Sequence, residues 1–451
     1  MDADRLPPAF TAECRRLLGG EYPAFLSAIT GGRTCYGLRA NSLKLRPEEL
    51  SIRLGGLMPI PWEPSGFCYN YNRAERLSKH PYYSAGLYYL QEPSAMLSAA
   101  LLPVSPGDRV LDMCAAPGGK ATQLAAKLAG TGVLVANDVS TSRIKPLIRN
   151  LELAGVRNAI VTNADPSALA ERWKGWFDAI LADVPCSGEG MFSRDDTAVS
   201  SWRLHPPESL APLQMGILSS CAKMLAPGGF LMYSTCTFNT MENEGVIVRF
   251  LEENADFSLV PVNTASIGAS GGIGLTGCAR IWPHRNGGEG LFAALLRKDQ
   301  RLEARNQKLE KNKGKDKDKG KTFGLADFGE FGRICPKLTG ISVLRRGDAL
   351  YAAPADSPEL SGVRCARQGL YLGDAKKGRF EPSFALAMSL RTDEFENVFD
   401  AAAGSDECRR YLAGESFEAS APEGYNLFCV DGFPLGFGKV VGGRLKNKRM
   451  L

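Results

Sequence analysis

Two of the twelve cysteines in this chain stand in segments that give sulfur a reason to react. DVPCSGEGMF carries Cys186 just past an apolar run, and YSTCTF carries Cys236 at the end of another. Pro185 fixes the turn that presents Cys186, and loop N–H groups beside a thiol favour its ionised form. Three residues before Cys186, Asp183 closes the same apolar run. Two thiols and a carboxylate suit attack on an electron-poor ring. Cytosine C5 is a poor nucleophile, so its methylation needs a thiolate to add at C6 and make C5 enamine-like. Afterwards a base must take the C5 proton so that the thiolate can leave. One cysteine is required and a second group is useful; the residues alone leave open which thiol attacks. Asp183 would bond the N3–H and exocyclic amine, stabilising the charge that builds on addition.

A methyl donor needs a pocket, and VLDMCAAPGGK offers one between a strand and a helix. The small residues from Ala115 to Gly119 let the backbone approach a ligand, and the helix start offers N–H groups to a carboxylate. The segment lacks the GxGxxG of a dinucleotide site, which argues against a dehydrogenase. Asp138 in NDV would take both ribose hydroxyls, and Asp165 in NAD would meet the adenine edge. A single aspartate at a strand end is most simply a helix cap. Three of them after a Gly-rich first loop read as an adenosylmethionine site. Cys114, inside that loop, is expected to touch the ligand backbone, whereas Cys68, Cys221 and Cys429 read as buried packers.

These residues must be held by a sheet. From about Arg109 to Leu296 apolar strands (RVLDMCA, GVLVANDV, AIVTNAD, FDAILADVP, GGFLMYSTCTF) alternate with helical periodicity, which predicts a buried parallel α/β sheet with right-handed crossovers. Ligands bind beyond the carboxyl ends of such strands, where the unusual residues cluster. Residues 1–90 mix Lys44, Arg46, Lys79 and His80 with Tyr82, Tyr83, Tyr88 and Tyr89, as a single-stranded RNA platform would, although core packing is the simpler role for any one tyrosine. Residues 297–321 hold 11 Lys/Arg against 5 Asp/Glu, so the net charge of +5 lies in this segment, a predicted basic linker suited to attracting a polyanion. Residues 322–451 read as short strands and turns, split near residue 390. The cysteines, without CxxC pairs or metal spacing, are expected to be mostly reduced, and no metal is expected. No segment has a secretory pattern or 18 apolar residues in a row, so a soluble cytoplasmic protein without membrane contact is expected.

CAAPGGK, DVPCSGEGMF and STCTFNTMENE resemble the signature blocks of the NOL/NOP/Sun family of RNA cytosine-5 methyltransferases, in order and spacing from about residue 35 to 296. RANSLK, LYYLQEPSAML and the tail VDGFPLGFGKVVGGRLKN look closest to the bacterial RsmF-type branch, which acts on small-subunit ribosomal RNA. The resemblance implies an α/β fold with a Rossmann-like class I methyltransferase core (91–296). It also implies an N-terminal α+β RNA-binding extension (1–90), a middle C-terminal domain of open role (322–390) and a mostly β, PUA-like RNA-binding region (391–451). It implies Cys236 as nucleophile and Cys186 as the group that assists product release. Cys114, Ala115, Ala116, Pro117, Gly118, Gly119, Lys120, Asp138, Asp165 and Asp183 would contact S-adenosyl-L-methionine, with Asp183 also near the base. In DNA cytosine methyltransferases the Pro-Cys thiol attacks, which would reverse the roles; the second cysteine in STCTF decides for Cys236. The expected partner is small-subunit rRNA or the assembling subunit, met by a monomer. A tRNA-directed member of the family and a non-catalytic ribosome-assembly factor are the competing readings.

Overall fold

The computed structural model describes residues 3–31, 35–70, 74–194, 196–300, 321–322, 328–335, 342–376 and 379–449. Strands made almost wholly of Val, Leu, Ile and Ala can be stable only with both faces covered. β1 (Arg109–Asp112), β2 (Val133–Asn137), β3 (Ala159–Thr162), β4 (Phe177–Asp183) and β5 (Leu225–Thr235) accordingly pair in parallel, in the order β5-β4-β1-β2-β3. Alternate residues enter opposite cores. Val110, Leu134, Val161 and Leu181 pack with Leu124, Leu147 and Leu151, while Leu111, Val135, Ile160 and Ile180 pack with Leu218 and Met224. Those partners come from α1 (Gly119–Leu128), α2 (Thr141–Leu153) and α4 (Pro207–Met224); α3 (Pro166–Arg172) completes the crossovers. β6 (Leu291–Lys298) returns antiparallel beside β5. The order reverses at β1, so a cleft opens where β1, β4 and β5 end.

The N-terminal region is built against that cleft. Helices Pro8–Leu18 and Tyr22–Thr30 put Phe10 4.9 Å from Phe192 and Phe25 5.1 Å from Phe238, ring to ring, under the loops that follow β4 and β5. A four-stranded antiparallel sheet follows, and its buried Arg39 donates to Gly119 O (2.9 Å) and Thr122 Oγ1 (2.7 Å) at the start of α1. Gly119 permits this approach: a Cβ there would lie 3.2 Å from the Tyr89 ring. The stacking platform expected in this region is largely a joint instead. Lys44 donates to Ala85 O and Leu153 O, its ammonium enclosed and pulled down to about 7 by burial. Tyr82 is buried and bonds Asp431 of the C-terminal region (2.7 Å), Tyr88 is buried and bonds Leu77 O, and His80 caps a short helix. Basic and aromatic residues alternate here because their stems and rings fill a domain interface. Arg46 and Lys79 stay at the surface. Cys68 also departs from expectation, being disulfide-paired with Cys35 rather than a lone packer. Gly37 pairs with Cys68 in the sheet, and Cys35, two residues earlier in the chain, reaches it from there. Among the described residues no other disulfide is formed.

Beyond the core, Cys365–Gln368 (β7) leaves its own region and pairs antiparallel with β3, covering what would be the open edge of the catalytic sheet. Residues 322–390 thus extend the core sheet as well as forming a small sheet of their own. The tail folds as the antiparallel meander Gly424–Val430, Phe433–Val441 and Arg444–Asn447, its first turn made by Asp431 at φ 47° and Gly432. Of the basic linker, residues 301–320 lie outside the described residues. Among the described residues no helix is long and apolar enough to cross a membrane.

The strand Ala279–Ile281, beside β6, carries Arg280, which is 2% exposed and donates to both carboxylate oxygens of Glu244 and to Phe238 O. Arg280→Ala would strand a buried carboxylate, so a loss of about 3–5 kcal/mol is expected, read as a lowered urea midpoint by near-UV circular dichroism. Replacing both partners with apolar residues should lose less.

Candidate active site

Parallel pairing sets Asp183 of β4 opposite Ser234 of β5, so the loops that follow leave the sheet side by side. Cys186 and Cys236 meet there: their sulfurs are 3.2 Å apart, and the Cys236 amide donates to Cys186 Sγ at 3.3 Å. Both are partly exposed. The hydrogen bond with Cys236 and burial together raise the Cys186 thiol well above its usual range, so Cys186 keeps its proton at neutral pH. Asp183 has both oxygens occupied, Oδ1 by the Ser234 hydroxyl (2.7 Å) and Oδ2 by the Lys120 ammonium (2.8 Å). Burial disfavours the Lys120 charge, but Asp183, Asp112 and the Cys236 sulfur more than offset this and raise its pKa. Lys120, expected as a cofactor contact, therefore stands on the catalytic side of its loop.

The loop between β1 and α1 is shaped from below by Asp138. Its oxygens accept from the amides of Ala116 (3.2 Å) and Ser140 (2.9 Å), and Arg143 lies 3.4 Å from Oδ2 while also bonding Ala116 O. Gly118 takes φ 115°, a conformation open to glycine, and no side chain caps the helix that starts at Gly119, so its first N–H groups are available to an anion. Ala115 and Ala116 are small and buried beneath, and the Ala116–Pro117 bond is cis. Asp165 lies at the exposed outer rim, where its carboxylate caps α3 through the Ser167 amide (2.8 Å), the role a lone strand-end aspartate suggests. Cys114 packs into the core on the far side, with burial raising its thiol, and takes no place beside the other two sulfurs.

Several residues of this site escaped the sequence. Asp112, the last residue of β1, is 1% exposed and neither oxygen has a hydrogen-bond partner among the described residues, although the Cys114 amide lends some relief. Burial, and then the charge of Asp183, push it up to about 8. The signal was an acid inside an apolar run. Ser234, Arg143, Glu189 and Glu242 were also missed, although Ser234 and both glutamates lie in quoted segments. An orphaned buried acid, an uncapped helix start and Asp138 fit the ammonium, carboxylate and ribose diol of adenosylmethionine.

The chain matches known families over most of its length. The family described as 16S rRNA methyltransferase RsmB/F matches residues 99–297. The N-terminal domain of 16S rRNA methyltransferase RsmF matches 6–93, the RsmF rRNA methyltransferase first C-terminal domain 330–390, and the methyltransferase RsmF PUA domain 399–449. The chain is 32% identical to ribosomal RNA small subunit methyltransferase F of Erwinia tasmaniensis, over 98% of this chain and 95% of that one. It is 31% identical to the protein of the same name from Shewanella oneidensis, over 95% and 93%. A methyltransferase homologue from Pyrococcus horikoshii superposes with a TM-score of 0.56 at 29% identity, covering 66% of this chain and 100% of that one. NSun6 from the same organism, crystallised with SFG, has a TM-score of 0.58 at 22% identity over 66% and 100%, a likeness of fold.

Asp112 makes a pH test possible. Its folded pKa, about 8, lies above the value near 4 of an unfolded chain, so the ligand-free fold loses stability as pH rises between the two. Asp112→Asn should therefore melt higher than the parent above pH 8 and equally below about pH 4. By calorimetric titration the same variant should bind adenosylmethionine roughly ten- to a hundredfold more weakly.

Proposed function

The chain belongs to the 16S rRNA methyltransferase RsmB/F family and depends on S-adenosylmethionine, and on that premise we propose that it methylates cytosine C5 in small-subunit rRNA through a covalent adduct with Cys236. The observation that carries this is the meeting of two thiols 3.2 Å apart beside a carboxylate–ammonium pair. Cys236 Sγ adds at C6 of the flipped base, its thiol proton passes to N3, and the C5–C6 double-bond electrons shift to C4–C5 to make C5 nucleophilic. Asp183 bonds the exocyclic amine and N3–H, and Lys120 on its Oδ2 offsets the negative charge of the ring. Bound adenosylmethionine supplies the methyl group that C5 takes up; Asp112, Asp138 and the start of α1 would hold it, with Asp165 at the adenine end. Transfer of the C5 proton to a solvent water then breaks the C6–Sγ bond and expels Cys236 as thiolate. Cys186, which keeps its proton, stands where its S–H can bond the departing sulfur. A tethered basic linker and the PUA domain would hold the RNA, and the enzyme would act as a cytoplasmic monomer on rRNA or the assembling subunit.

Cys236→Ala should abolish methyl transfer to small-subunit RNA. Cys186→Ala should still attack but fail to release, leaving labelled RNA attached through a denaturing gel. An RNA adduct with Cys236→Ala instead would reverse the two roles. Asp183→Asn should lower kcat about 10²–10³-fold, as removal of one charge-stabilising group does.

A further inference from the structure

We propose that Glu242 and Glu189 form a reciprocal clamp that sets the separation of the two thiols, Glu242 holding the Cys186 loop and Glu189 the Cys236 loop. Both carboxylates are buried, at 0% and 2% exposure, and among the described residues neither is in an ion pair. Glu242, from the loop after β5, accepts from the Ser187 amide (2.9 Å) and the Ser187 hydroxyl, next to Cys186. Gln214 of α4 (2.7 Å) and Asn239 (2.7 Å) complete its shell, and the same Gln214 amide bonds Pro185 O. Glu189, from the loop after β4, reaches the other way. It accepts from the amides of Phe238 (2.8 Å) and Asn239 (3.0 Å), just past Cys236, and from Trp202 and the Asn239 side chain. Gly190 N closes the exchange by donating to Cys236 O (2.9 Å).

Each loop thus contributes the acid that grips its neighbour. Burying a carboxylate is tolerated where its donors are already aimed at it, and here those donors come from both thiol loops, α4 and Trp202. Strand pairing brings the loops side by side, but the residues past the strand ends have no ladder to hold them. The clamp replaces it, and both acids act through the cysteines as positioning residues.

This rests on the two thiols sharing one reaction, so the test has one arm independent of that chemistry. Diamide oxidises two neighbouring thiols to a disulfide while being reduced to its hydrazine, and peptide mapping follows the 186–236 bridge. Ser187→Ala, a mild change, and Glu242→Gln should slow bridge formation at least about tenfold in the folded full-length enzyme, because proximity governs its rate. A rate equal to or faster than the parent's in both variants overturns the clamp. In the second arm, both variants should form the RNA adduct at the parental rate yet release it slowly, so adduct accumulates as in Cys186→Ala. A merely destabilised enzyme would lose attack and release together, and that result also overturns the proposal. Slowed bridging with no adduct in Cys186→Ala supports the clamp and contradicts the assigned roles of the thiols.

Discussion

Two sulfur atoms can serve one pyrimidine ring only if both loops that carry them start from neighbouring strands. Strands in a sheet lie about 4.8 Å apart, and β4 and β5 are parallel partners whose registered ends, Asp183 and Ser234, are linked by a 2.7 Å hydrogen bond. From that pairing follow the thiol contact, the place of Lys120 on Asp183 and the reach of each loop into the other. The N-terminal helices reinforce it from outside, since Phe10 and Phe25 pack on Phe192 and Phe238.

The charge balance of the cleft follows from the same crowding. Asp138 and Asp183 lie close enough to raise Asp112, while Arg143 sits by Asp138 and Lys120 bonds Asp183. A cation placed at Asp112 would favour its ionised form, and adenosylmethionine carries an ammonium and a sulfonium. Lys120 joins the two halves of the site: its backbone belongs to the methyl-donor loop, and its ammonium bonds the carboxylate beside the thiols.

Much of this was legible in the sequence. Near-continuous apolar runs marked the parallel strands, and the segments around Cys186 and Cys236 marked neighbouring strand ends. What failed to show there depends on partners distant in sequence. Nothing in RANSLK says that Lys44 ends against Leu153 O, and nothing around Cys35 says that it pairs with Cys68. The pairing of β7 with β3 joins segments about two hundred residues apart, and neither carries a mark of the other. Glu189 and Glu242 looked like ordinary polar loop residues because their donors arrive only when the loops meet.

The most direct measurement is to offer the enzyme small-subunit rRNA containing 5-fluorocytidine together with adenosylmethionine, and to sequence the protein peptide that stays attached to RNA. After methyl transfer, fluorine at C5 leaves no proton to remove, so the intermediate cannot be released. A methylated base bonded to Cys236 is the predicted result. Attachment through Cys186, or methylation without any attached peptide, would contradict it.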